Sequence, residues 1–112
     1  MPESGHTWRL NFKGHAADAS AVRAWVRERV HHPDAPPVAH ELFVALLGSG
    51  ADIITLELST AGPRLRITAS GPAPLPARHS HGPGWRIIAG LSQQTGLTTD
   101  ECGLWAQMEN GR

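Results

Sequence analysis

Hydrophobic and polar positions alternate in GHTWRLNFKG, where Trp8, Leu10 and Phe12 oppose Arg9, Asn11 and Lys13. That period of two predicts a half-buried strand. In the next stretch the period lengthens. Val22, Trp25, Val26 and Val30 recur at helical spacing, while Arg23, Arg27 and Arg29 fall on the other side. An amphipathic helix follows from this, with Asp18 or Ser20 as its cap. PDAPP at 33–37 closes it and prepares a second helix from Val38 to Leu47. Asp34 suits the cap of that helix, Pro36 or Pro37 its first turn, and Gly48 or Gly50 its end.

Alternation returns at DIITLELSTAGPRLRITAS. Ile54, Leu56 and Leu58 face one way, then Leu65, Ile67 and Ala69 after the AGP turn, so a hairpin is expected. GPAPLPARHSHGPG (71–84) holds four prolines and three glycines and reads as a loop. WRIIAGLSQQTG predicts a third helix with Ile87, Ile88 and Leu91 inward. A last strand carries Cys102, Leu104, Ala106 and Met108 on one face. The order is β-α-α-β-β-α-β. Alternating strands need one covered and one wet face, so the fold class is α+β. The expected architecture is a two-layer sandwich, with three helices on one face of a mainly antiparallel, mixed sheet. The 112 residues are expected to form one domain, with 1–6 and 110–112 flexible.

Composition narrows the function classes. Hydrophobic residues at 40% and charged residues at 18% fit a globular domain and argue against disorder. The formal charge is zero and no basic stripe alternates with aromatics, which disfavours nucleic-acid binding. LFVALL is the longest apolar run, far short of the roughly 20 residues of a membrane span. The N-terminal stretch has no apolar core of a signal peptide. A cytoplasmic location is expected. Lys13 is the sole lysine beside nine arginines, a bias typical of GC-rich bacterial genomes.

Candidate chemistry is sparse. Glu41 is a carboxylate among Leu42, Phe43, Val44, Leu46 and Leu47, at the opening turn of the second helix. It reads as a working base, the remnant of one, or a residue favoured there by the helix dipole. Seven histidines (His6, His15, His31, His32, His40, His79, His81) invite a metal, but His79 and His81 alone do not complete a structural zinc site, which usually takes four ligands. No metal site is expected. Cys102 alternates with core residues and reads as an inert thiol. Ser49, Ser70 and Ser80 lack the flanking glycines of a nucleophile elbow.

The element order and several stretches resemble the GHKL ATPase superfamily, the histidine-kinase and gyrase type, and most closely its RsbW-like anti-sigma factor branch. Glu41-Leu42-Phe43-Val44-Ala45-Leu46 corresponds to that family's E-L-x-x-N-A helix. LRITASGP corresponds to its strand ending in Asp, and HGPGWRIIAGL to its G-x-G and following helix. The resemblance implies a Bergerat-like fold, Glu41 as general base, and Gly82 and Gly84 beside a nucleotide. It also implies an asparagine one turn after the Glu, holding magnesium, and an aspartate receiving adenine. Ala45 and Ala69 stand at those two positions, and Ser70 is a poor substitute for the second. Phosphoryl transfer depends mainly on positioning and charge stabilisation. The expectation is therefore a degenerate member with no cofactor and no catalysis, Glu41 being a remnant. It would act by binding a protein: a sigma factor, an anti-anti-sigma protein or a small helix-turn-helix regulator. A homodimer is compatible with this. The exposed surfaces considered for the partner are Arg23, Arg27 and Arg29 on the first helix, and Arg64 and Arg66 on the wet sheet face. Trp85 is expected to pack across the vacated cleft. The alternative is a divergent anti-sigma serine/threonine kinase that still uses ATP and magnesium.

Overall fold

Alternation in the strands sets the register of the whole sheet. The computed structural model describes residues 5–75 and 83–109. Strand β1 (Gly5–Lys13) pairs with β2 (Ile53–Ala61), so that Phe12 lies opposite Ile54, Trp8 opposite Leu58 and Gly5 opposite Ala61. β2 turns through Gly62 and Pro63 into β3 (Arg64–Ser70), with Ala61 opposite Arg64. Gly62 has φ 58°, a left-handed value that glycine adopts freely, and proline holds the second turn position at negative φ. A two-residue turn of this kind keeps Leu56 and Leu58 on the same face as Ala69 and Ile67. Slipping by one residue would turn every one of them to solvent.

The sheet is completed by β4 (Gln94–Leu97) and β5 (Gly103–Glu109), in the order β1-β2-β3-β5-β4. All four pairings are antiparallel. Arg64 lies opposite Glu109 and Ala69 opposite Leu104. β4 lies where the sequence predicts a continuing helix. The third helix, α3 (Pro83–Leu91), stops before it. Gln93 then donates its amide to the Gln107 carbonyl at 2.8 Å, drawing the chain into the ladder. Ile88 is buried, but Ile87 is exposed, which corrects its expected inward position. Cys102 precedes β5 in a turn and is half-buried, so it is not a core-facing strand residue.

Helix α1 (Ala19–Arg27) buries Val22, Trp25 and Val26, and Val30 is buried just past its end. A short 3-10 turn, Ala16–Asp18, leads into it. Asp18 occupies the cap position but makes no side-chain capping bond, and the same holds for Asp34 before α2. Helix α2 (Ala35–Gly48) starts three residues earlier than expected. Its prolines fall within the first turn, where an amide donor is not needed. α2 is the centre of the helical layer. It packs on α1, on α3 and on β2, β3 and β5. Leu42, Phe43 and Leu46 from α2 meet Ile54, Leu56, Leu58, Leu65 and Ile67 in one buried cluster. Phe12 stands edge-on to Trp25 and Phe43, with ring centroids 6.0 and 6.1 Å apart, and so ties the edge strand to both helices. These elements make a compact α+β domain with one covered sheet face.

Candidate functional site

Because α2 begins at Ala35, Glu41 lies in its second turn and no acidic residue occupies the first. The dipole of its own helix therefore gives little support, since that effect fades beyond the first turn. A different helix receives the carboxylate. A side-chain carbon on Gly84, the second residue of α3, would collide with Glu41 Oε1. The close approach needs a glycine, and it sets a negative group at the positive end of α3. Glu41 keeps 20% of its side chain exposed, so the charge is only partly taken from water.

His40 extends the arrangement. Its Nδ1 lies 2.6 Å from Arg23 Nη1, and its Nε2 lies 3.9 Å from Glu41 Oε2. Guanidinium only donates, so Nδ1 accepts, and the proton of the neutral ring belongs on Nε2, turned towards Glu41. Arg23, His40, Glu41 and Gly84 thus form a chain of contacts running from α1 through α2 to α3. This corrects the expected exposure of Arg23. Arg29 is engaged as well: it donates to the Trp25 carbonyl at 2.9 Å, and its Cζ lies 5.0 Å from the Trp25 ring centroid. Of the three arginines only Arg27 is exposed.

The remaining residues singled out from sequence divide sharply. Ala45, one turn after Glu41, packs half-buried against the core, and so does Trp85. Ala69 is fully buried between Leu56 and Leu104, and Ser70 alternates to the opposite sheet face. Gly84 meets Glu41, while Gly82, His79 and His81 lie outside the described residues. On the open sheet face Arg66 is held by Trp105, 4.2 Å from the ring centroid, and by Gln107 at 3.2 Å.

Among the described residues no three His, Cys, Asp or Glu side chains gather closely enough to hold a metal ion. His6 stacks on Trp8 at 5.6 Å. Near Cys102, Asp100 accepts from Thr98 Oγ1 at 2.6 Å and from the Cys102 amide at 3.0 Å. Those two bonds, the threonine's first, hold its carboxyl below the usual value. The Cys102 thiol is pushed up by partial burial, then by the charges of Asp100 and Glu101. A thiol shifted in that direction is a weaker nucleophile at neutral pH.

The described residues form several open clefts. One of 350 Å³ is formed where α1 ends and α2 begins, lined by Arg23, Arg27, His31 and His32 among others. One of 240 Å³ lies on the open sheet face at Arg64 and Arg66. A third, of 380 Å³, lies beside β2 at Asp52 and Ile53. Among the described residues no helix is long and apolar enough to cross a membrane. The Arg23–His40 link has no signal in the sequence, where nothing local joins residues on two different helices. No protein-family model matches the chain, and neither does any curated protein.

Proposed function

We propose that this domain is a regulatory, protein-binding module built on a degenerate GHKL-type scaffold of the RsbW-like, anti-sigma kind. Its partner would be a sigma factor, an anti-anti-sigma protein or a helix-turn-helix regulator. One observation carries the reading. The single carboxylate that the resemblance makes a general base is occupied by fold contacts, against Gly84 and beside His40, with an alanine one turn further on. A base without a metal-held phosphate has nothing to act on. What such a scaffold retains is its surface, because function lies in sites carried by a fold rather than in the fold itself. Arg27 and the open sheet face are the surfaces available to a partner.

Calorimetry with ATP and magnesium tests the reading, alongside size-exclusion chromatography with sigma factors and helix-turn-helix regulators of the host. The expected result is no nucleotide heat and a stable complex with one such protein. Micromolar nucleotide binding, with hydrolysis or phosphoryl transfer to a partner serine, would establish the kinase alternative instead. Ala45→Asn is the informative restoration, since that side chain is only half-buried. Ala69→Asp is not, because a carboxylate at this fully buried position would cost several kcal/mol in stability.

A further inference from the structure

The cleft between α1 and α2 has the chemistry of an anion site. Arg23 and Arg27 line it from α1, one turn apart, and His31 and His32 from the connection, while Pro33 and Pro37 give it an apolar side. No carboxylate is among the described residues that line it. Glu28, just past the end of α1, is paired with Arg29 at 3.3 Å, and Asp34, at the cap of α2, is not part of the lining. Arg27 is exposed and has no hydrogen-bond or ion-pair partner among the described residues.

Backbone donors at the start of α2 are not what makes this site. The Asp34 amide donates to His32 Nδ1 at 3.1 Å, and the Ala35 amide to the His32 carbonyl at 3.1 Å. Val38 donates to the Asp34 carbonyl, and Pro36 and Pro37 have no amide hydrogen. Recognition falls to side chains. With Nδ1 accepting, the neutral His32 ring carries its proton on Nε2 and is a donor there. The two guanidinium groups come from α1 and the two imidazoles from the connection that follows it. Several donors around one cleft suit an anion with several acceptor oxygens and more than one negative charge, and arginine is well suited to phosphate.

We propose that this cleft binds a phosphate monoester, with the phosphoryl group among Arg23, Arg27, His31 and His32 and a small apolar body against Pro33 and Pro37. A volume of 350 Å³ is at the lower end for small-molecule sites and fits a ligand of this size. The proposal goes beyond the regulatory reading and does not rest on it.

Nuclear magnetic resonance of the arginine Nε–Hε and histidine ring signals tests it, on the full chain at constant ionic strength. The probes are phenyl phosphate, inorganic phosphate and benzoate. Phenyl phosphate should saturate the signals of Arg23, Arg27 and His32 and leave Arg64 unmoved. Inorganic phosphate should saturate the same signals more weakly, because it lacks the apolar body. Arg27→Gln should weaken phenyl phosphate about tenfold or more, the scale of one charge-assisted hydrogen bond. Arg64→Gln, on the open sheet face, should leave the affinity unchanged. The proposal is overturned if benzoate binds as tightly as phenyl phosphate, if the shifts never saturate, or if Arg27→Gln binds like the parent. A domain that fails this test keeps its regulatory reading intact.

Discussion

Gly84 has no room for a side chain while Glu41 holds its place. Gly84→Ala must push the carboxylate away from the start of α3. The expected cost is about 1 kcal/mol, from the lost dipole interaction and local repacking. In Glu41→Ala the obstruction is gone, so the same glycine substitution should cost much less. A double-mutant cycle by urea unfolding reads the difference as a coupling energy, and strict additivity would show that the two residues do not meet. Asp100 offers a second test at this scale. Its carboxyl is lowered in the folded chain from an ordinary 3.8, so its contribution is present above that pH and is lost as pH falls through the lower, folded value. The amide signals of Cys102 and Gly103, both bonded to the Asp100–Thr98 pair, should shift in that acid window. Asp100→Asn should abolish the transition.

Elements were legible in the sequence wherever one face is buried. Ile54, Leu56, Leu58 and their partners Leu65, Ile67 and Ala69 alternate because the helical layer covers only one side, and the hairpin follows from that alone. β4 gave no such signal. Its four residues, Gln94 to Leu97, include one large apolar side chain, and that one is exposed. What holds β4 is its neighbour: Trp105 lies across it, donating Nε1–H to the Leu97 carbonyl at 3.1 Å. A β-carbon at Gly96 would stand 2.9 to 3.1 Å from that indole. Gly96→Val should therefore displace Trp105 and cost about 1–3 kcal/mol, as overpacking does. Near-ultraviolet circular dichroism and thermal melting would register both effects, and an unchanged spectrum would contradict the packing. The start of α2 is largely legible: Asp34 as cap and Pro36 or Pro37 in a first turn already imply a helix from Ala35, although the apolar run alone begins at Val38. For the candidate site, residue type was visible and geometry was not. Glu41 and Gly84 each stood out in the sequence, but their contact arises only when α3 docks on α2.

At the scale of the molecule, one core joins both helical neighbours of α2 to the sheet, and the Arg23–His40–Glu41–Gly84 contacts run across the same three helices. The sheet register has a consequence for the way the domain is wired. Gly5, Ala61, Arg64 and Glu109 are successive partners in one row. The first and last strands thus meet the same rim, three inter-strand spacings or roughly 14 Å apart. About five extended residues would bridge that gap. A circularly permuted chain, joined there and opened at Gly50, should keep the parent circular dichroism spectrum, because nothing packs within 4 Å of the β-carbon position at Gly50. By the same geometry, a host protein could carry this domain as an insertion in one of its own loops, its two flanking segments leaving side by side.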